Sequence, residues 1–501
     1  MLNNFSEYIG IHAENDGKKV FCRILNGHEI TYQEINNRIN QFSNYINSIG
    51  LLDQSIISIK LENSFEYLII YFSCLRSNII INPLPDSLSN DEVKKNLETI
   101  KPSIFISRKN NRKSNTAIKY LQIKDYSDLL NLLEPFAINY SSPVERSATD
   151  TASIYYSSGT TGNPKCVEYS HQNMIFLIES IVKEFGFSKN DIFLGVLPMG
   201  HTAIINYQLL PCINVSATII ITHNFNTIRA NLWDVISDNQ VTNLQIVPTI
   251  LFGMLMTPYD KSKIMNNKTL KYLSCGSAPL SKNIQKKTKK IFKIPVANLY
   301  GLSETGPSHF DNPLDENWEP GSIGYPLDVN ICKVYDENME ECEDGVSGQI
   351  GLKGKNVFKG YFNNKEETEK VFFNDYFLTG DIGYKGKDGK FYFTDRIKDL
   401  IIKAGVNIVP GEIEEIIYKI EGIISVAIIG KPDKLFGEEL VAYIEKDLKS
   451  NINQSEILNF LSQYLQPLKI PKDIRFIDKM PLGPSGKILK KSLRLELDNG
   501  K

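Results

Sequence analysis

Short β-branched runs alternate with stretches of helical periodicity through most of the chain, and this alternation restricts the possible folds more than any other feature. SIISIKL (55–61) is followed by FEYLIIYFSCL, then NIIINPLP, then SIFIS (103–107), the rhythm of βαβ units on a parallel sheet. The rhythm returns in FLGVLPM, ATIIIT, NLQIVP and LKYLSCG, which read as buried strands between amphipathic stretches and predict a second α/β layer. From about 345 the texture changes to GQIGLKG and YFLTGDIGYKGKDGKFYFTD, Gly-punctuated alternating segments that suit antiparallel hairpins. The tail reads as a compact βαβ-type unit: EIEEIIYKIEG helical, SVAIIGKP a strand, QSEILNFLSQYL helical and DIRFI a strand. The expected fold class is α/β and multi-lobed. A large N-terminal domain (1–397) holds two α/β subdomains and a β-rich subdomain, and a small α+β C-terminal domain (398–501) follows, with the boundary at Lys398.

Composition narrows the partners. With 56 Lys plus Arg against 58 Asp plus Glu, the net charge of -2 lacks the electrostatic footprint of a nucleic-acid binder or an anionic-membrane binder, which favours a small molecule. Seven Cys at irregular spacing contain no CxxC, so reduced, mostly buried thiols are expected. The first residues lack a basic region followed by an apolar core, and the most apolar early stretch is broken by Arg76. A cytoplasmic location and no membrane span are expected.

The most informative segment is Ile154 to His171, IYYSSGTTGNPKCVEYSH. After a strand-like start, Ser157, Ser158, Gly159, Thr160, Thr161 and Gly162 supply hydroxyls and flexible backbone, with Lys165 beyond, a loop able to wrap phosphate oxygens with N–H and O–H donors. It is not a P-loop, since Pro164 and Cys166 stand where that motif needs Gly before the Lys and Ser or Thr after it. Alone, such a loop is more often a polar surface turn; its company decides. LPMGHT (197–202), SCGSAPL (274–280), NLYGLSETGP (298–307), FLTGDIGY (377–384), RIKDLIIKAGVNIVPGEIE (396–414) and PSGKILKK (484–491) follow in order. Over nearly its whole length the chain resembles the adenylate-forming superfamily: acyl-CoA synthetases, firefly-type luciferases and the adenylation domains of non-ribosomal peptide synthetases.

The resemblance implies an enzyme using ATP and Mg²⁺. It assigns Ser157 to Gly162 and Lys165 to the β- and γ-phosphates, and Gly276, Ser277, Ala278, Asn298 and Tyr300 to the nucleotide site, with the Tyr300 ring on the adenine. It puts Ser303 near the α-phosphate, Glu304 on Mg²⁺, Asp381 on the ribose hydroxyls with Arg396 nearby, Lys398 at a hinge and Lys487 as a mobile catalytic lysine. The resemblance also implies that His201 gates the acyl pocket and that Gly405 lines the thiol's tunnel after the small domain has swung about the hinge. Taken singly, Asp381 reads as a turn-capping residue, Lys487 as a solvated surface lysine and His201 as a structural histidine; only the company of the motifs overturns those readings. Cys166 stands where the family usually has Gly.

The implied reaction joins a carboxylate to the α-phosphorus of ATP and then passes the acyl group to a pantetheine thiol, on CoA or on the phosphopantetheine of a carrier protein. No Asp or Glu lies between Leu194 and His223, so an α-ammonium would lack an ion partner there and an acid without an α-amino group is favoured. The expected pocket wall, Ala203, Ile205, Asn206, Tyr207, Gly276 and Leu299, is mainly apolar. Leu299 stands where many fatty-acyl and cinnamoyl relatives have Gly, which points to a short, medium or compact aromatic acid. A stand-alone enzyme that loads a carrier protein, and a luciferase-like oxygenase or nucleotide sensor, are the alternatives.

Overall fold

The computed structural model describes residues 2–109, 118–140, 147–157, 165–447, 450–483 and 487–498. The first α/β layer is a seven-stranded sheet in the order Gly360–Tyr361, Lys165–Ser170, Thr151–Ser157, Ile80–Pro83, Ile56–Lys60, Ile104–Ser107, Lys119–Gln122. Its central strands are parallel, as the β-branched runs predict. The second layer is a nine-stranded sheet whose middle consists of the parallel strands Val296–Leu302, Leu273–Gly276, Asn243–Ile246, Ile192–Gly195 and Thr218–Ile221. Val20–Ile24 joins this sheet parallel to Thr218–Ile221, distant in sequence, with Glu29–Thr31 antiparallel on its other side.

The helix Phe65–Arg76 explains how the two layers share a core. All twelve of its residues are buried, so it needs apolar cover on every side. The Tyr71 hydroxyl meets the Tyr155 hydroxyl of the first sheet at 2.8 Å, while the Tyr67 hydroxyl donates to the Met199 carbonyl beyond the second. Its buried Glu66 is paired with Arg108 at 2.6 Å, which offsets the cost of removing that charge from water.

The β-rich lobe is antiparallel throughout, with Asn330–Tyr335, Gly348–Gly354, Tyr376–Lys385 and Phe391–Arg396 pairing in sequence order. The last sheet draws only on residues from 401 onward: Val406–Ile408, Ile401–Lys403, Gly437–Lys446 and Ile423–Asp433, with Asp473–Phe476 beside Gly437–Lys446. Two apolar clusters, one on each face of this sheet, close on themselves between Ile401 and Leu497. Here the expectation of a βαβ-type tail is incomplete. Gly437–Lys446 is a central strand, antiparallel to Ile423–Asp433 and parallel only to Asp473–Phe476. Its charged residues hid it, because Glu439 is buried against Lys403 and not exposed at an edge.

Candidate active site

The expected site residues gather at the carboxyl ends of the parallel strands, where the loops leave the sheet and a ligand can reach them. Strand Ile192–Gly195 leads to His201, strand Leu273–Gly276 to Ser277 and Ala278, and strand Val296–Leu302 to Ser303 and Glu304. Gly276 lies opposite Leu299, and a Cβ on Gly276 would come within 2.8 Å of the Leu299 Cβ, so the absence of a side chain lets the two strands close. Ser277 then turns with φ +69, a left-handed conformation that few non-glycine residues adopt. Asn298 donates to the Ser322 carbonyl at 3.3 Å.

Asp381 is the best-held carboxylate of the group. It sits opposite Arg396 on paired strands, and Arg396 Nε lies 3.1 Å from Asp381 Oδ1. The Tyr300 hydroxyl donates to Asp381 Oδ2 at 2.8 Å, and the Asp381 N–H donates to Thr379 Oγ1. Burial raises the Asp381 carboxyl from its ordinary value, while Arg396, Tyr300, Lys487 and Lys398 pull the other way. The Tyr300 ring is set by His309, edge-on at 5.4 Å. His309 is fully buried and held neutral, its affinity for a proton pushed down to about 3 by burial.

Glu304 follows Ser303 in a turn that Tyr169 and Asn356 fasten, by donating to the Ser303 and Thr305 carbonyls at 2.8 Å each. The Tyr361 hydroxyl donates to Glu304 Oε1 at 3.0 Å, and the ammonium of Lys165 lies over the Tyr361 ring, 4.5 Å from its centre. Lys165 also pairs with Glu367 at 3.2 Å. Burial raises the Glu304 carboxyl; Tyr361, Lys487 and Lys165 oppose the rise. Sequence reading missed Tyr361, Glu367, Tyr169 and Asn356, because each is contributed by an element far along the chain. Ser157 ends the strand Thr151–Ser157; Ser158, Gly159, Thr160, Thr161 and Gly162, expected at the phosphates, lie outside the described residues. Cys166 is buried in the adjoining strand, its thiol pushed up to about 11 by burial.

Lys487 comes from the last domain yet lies in the electrostatic field of Arg396, Asp381 and Glu304 of the large one, and of Lys398 at the boundary. Burial, and next Arg396, push its ammonium down to about 8. Partial burial and the same guanidinium bring Lys398 to about 8 as well. Four cationic groups, Lys165, Arg396, Lys398 and Lys487, thus share this region with the carboxylates of Glu304, Asp381, Glu367 and Asp399. Gly405 is not among them. It is exposed at the tip of the hairpin 401–408, and a Cβ there would meet nothing within 4 Å.

His201 precedes a helix that runs from Thr202 to Asn214 and widens into a π-turn at Ile205–Leu209, where the Leu210 N–H reaches back to the Ile205 carbonyl. Pro211 has no N–H to continue the α-helical ladder, which accounts for the widened turn. Ala203 is half-buried, while Ile205, Asn206 and Tyr207 are buried. The Tyr207 ring lies 6.2 Å from Phe185, which stacks on Phe310 at 3.8 Å. Leu299 is buried in the neighbouring strand.

Comparison with known proteins identifies the family. The family model for the AMP-binding enzyme matches residues 11–362, and that for the AMP-binding enzyme C-terminal domain matches 412–487. A 2-succinylbenzoate–CoA ligase of Bacillus licheniformis is 28% identical over 94% of this chain and 95% of its own length. A long-chain-fatty-acid–CoA ligase of Bacillus subtilis is 34% identical over 69% of this chain and 61% of its own. The crystal structure of ATP-bound MatB from Rhodopseudomonas palustris, 27% identical, superposes with a TM-score of 0.92 over 100% of this chain and 99% of that one, whereas its apo form gives 0.82 over the same shares. With both family models matched in order and the charged cluster at the strand ends, the chain belongs to the family of AMP-binding enzymes.

Proposed function

We propose that this enzyme activates a compact carboxylic acid without an α-amino group, and that its site residues act as follows. As an AMP-forming acid–CoA ligase it makes an acyl-adenylate from ATP and then transfers the acyl group to CoA. In the first step a carboxylate oxygen attacks the α-phosphorus while the bond to pyrophosphate breaks. In the second the thiol sulfur attacks the acyl carbonyl and AMP departs with the C–O bond electrons. Neither step needs an enzyme nucleophile, so the protein's work is to position groups and to offset developing charge.

The observation that carries the reading is that Lys487 lies within electrostatic reach of Arg396, Asp381 and Glu304. Lys487 donates to the α-phosphoryl oxygens as their charge grows, and Ser303 stands in the adjoining turn. Lys165 neutralises the outer phosphates beside Ser157 to Gly162. Asp381, oriented by Tyr300 and Arg396, accepts the ribose hydroxyls, and the adenine lies against Tyr300 between Gly276, Ser277, Ala278 and Asn298. Glu304 fits a hard cation: it offers one carboxylate, and among the described residues no three His, Cys, Asp or Glu side chains form a cage, so phosphate and water oxygens would complete the shell. Mg²⁺ held there supplies electrostatic stabilisation of the phosphates. Residues 1–397 and 398–501 act as two bodies that turn at Lys398, which carries Gly405 to the thiol in the second step. The seven cysteines, none in a disulfide, support a cytoplasmic setting, and among the described residues no helix is long and apolar enough to cross a membrane.

The compact acid is supported by Leu299 and by the Tyr207, Phe185 and Phe310 rings, which fill the space beside the pocket helix, with His201 at its mouth. ATP–pyrophosphate exchange over a panel of short, branched, aromatic and long-chain acids tests this reading, followed by CoA against a phosphopantetheinylated carrier protein as acceptor. Compact acids and CoA should prevail. In Leu299→Gly the preferred acid should lengthen, since about 1–3 kcal/mol attaches to each methylene in an apolar pocket. An unchanged chain-length profile would remove Leu299 from the pocket wall.

A further inference from the structure

The helix Pro410–Ile417 of the small domain touches the large domain at three places. Its Gly411 N–H donates to Asp395 Oδ2 at 2.8 Å, and Tyr418, just beyond its end, lies parallel to Phe252 with ring centres 6.2 Å apart. Between them, Glu415 Oε1 accepts the Asn283 N–H at 3.2 Å and the Asn283 side-chain amide at 2.9 Å, and the Glu415 carbonyl accepts the same amide at 3.2 Å. Asn283 opens the helix Lys282–Phe292 of the large domain, behind its N-cap Ser281. Glu415 therefore places a full negative charge at the positive end of an eleven-residue helix, where such a charge is stabilised.

The neighbouring glutamates differ. Glu412 pairs with Lys469 at 2.7 Å and Glu414 with Lys490 at 2.8 Å, both within the small domain. Glu415 alone of the three points its carboxylate across the boundary, and its bonds break if the small domain turns away. Among the described residues this helix and its end add the Gly411 hydrogen bond and the Tyr418 ring contact to the large domain, while Arg494 pairs with Asp399 beside the hinge.

We propose that Glu415 is a positioning residue for the first half-reaction: its bonds to Asn283 seat the small domain so that Lys487 lies beside Glu304 and Asp381. The inference rests on the reading of Lys487 as the cation of adenylate formation. The test measures single-turnover pyrophosphate release, and separately thioester formation from supplied acyl-adenylate and CoA, in Glu415→Ala, Asn283→Ala and the double variant of the full-length enzyme. Each single variant should slow pyrophosphate release about tenfold, the effect expected for loss of a hydrogen bond to a charged group. The double variant should be no slower than either single one, and thioester formation should stay unchanged. Glu415→Gln, which keeps an acceptor oxygen, should recover part of the rate, and Glu412→Ala, on the same helix, should leave the ratio of the two half-reactions as it was. Equal losses in both half-reactions, a double variant as slow as the product of the singles, or no loss at all would overturn the proposal. Should Lys487→Ala abolish pyrophosphate release while the Glu415 variants leave it intact, the positioning role fails and the role of Lys487 survives; should Lys487→Ala leave it intact, the underlying reading fails.

Discussion

Two parts of the small domain, the paired segments 481–483 and 487–489 and the hairpin 401–408, meet opposite surroundings. The first is closed by the Gly483 N–H donating to the Lys487 carbonyl at 2.8 Å and the Leu489 N–H donating to the Pro481 carbonyl at 2.9 Å, and it delivers Lys487 among the charges of the large domain. The second turns through Ala404 (φ +53) and Gly405 (φ +76), the two left-handed residues of a tight hairpin, and is held by the Ala404 N–H donating to the Phe436 carbonyl at 2.8 Å and by the Lys403–Glu439 ion pair. Its tip faces open space. Both parts belong to one body with its own core, so whichever is brought to the strand ends, the other is carried elsewhere. On the proposed reading the pose seen here serves adenylate formation, and a rotation about Lys398 exchanges the tools.

The sharpest way to break this comparison is to freeze the rotation. Lys398 sits in the short 3₁₀ turn Ile397–Asp399, and Pro fixes φ near −65°, within the range typical of such turns. Lys398→Pro should retain pyrophosphate release and lose thioester formation altogether, read as a single turnover of ATP followed by mass spectrometry of the product. A variant that makes thioester at the wild-type rate would place the hinge elsewhere.

Changing one part at a time should split the activities. Lys487→Ala should slow adenylate formation roughly 10²- to 10³-fold, the cost of removing one preorganised donor, and leave thioester formation from supplied adenylate near normal. Gly405→Leu should do the reverse and more weakly, slowing only the thioester step, by about tenfold. Its left-handed φ costs the hairpin roughly 1–2 kcal/mol besides, so a thermal melt should accompany the assay. If both variants lose both steps equally, the two parts do not have separate roles.

A pH limb is expected as well. Lys487 must be protonated to donate, and its folded-state value of about 8 lies below the ordinary lysine value, so the free enzyme loses the proton as pH rises through about 8. The kcat/KM for ATP in pyrophosphate release should therefore fall above that pH by about tenfold per unit, whereas kcat, which reports the nucleotide-bound enzyme, should hold to higher pH. Lys487→Arg should carry the kcat/KM limb upward. A limb that stays at the same pH in this variant belongs to another group, Lys398 first among them.

The chain order already marked the parallel layers, the hairpin lobe and the motif residues, because β-branched periodicity and Gly-marked turns are local signals that survive without a partner. Glu304, Asp381, Lys398 and Lys487 were legible as a set for the same reason: each sits in its own short, distinctive segment. Their supports were not. Tyr361 reaches Glu304 from 57 positions away, Tyr169 fastens Ser303 from 134 away and Glu415 meets Asn283 from 132 away, and a lone Tyr or Glu in a strand or helix carries no mark of its partner. Strand Gly437–Lys446 escaped notice because its Glu439 is paired inside the fold with Lys403. Sequence by itself thus determined which elements form and which chemical groups stand at their ends, through local propensity and patterning. Only the tertiary structure decided which strand neighbours Val20–Ile24, which ring orients Glu304 and which part of the small domain faces the large one, since each depends on surfaces that come into being when distant elements pack together.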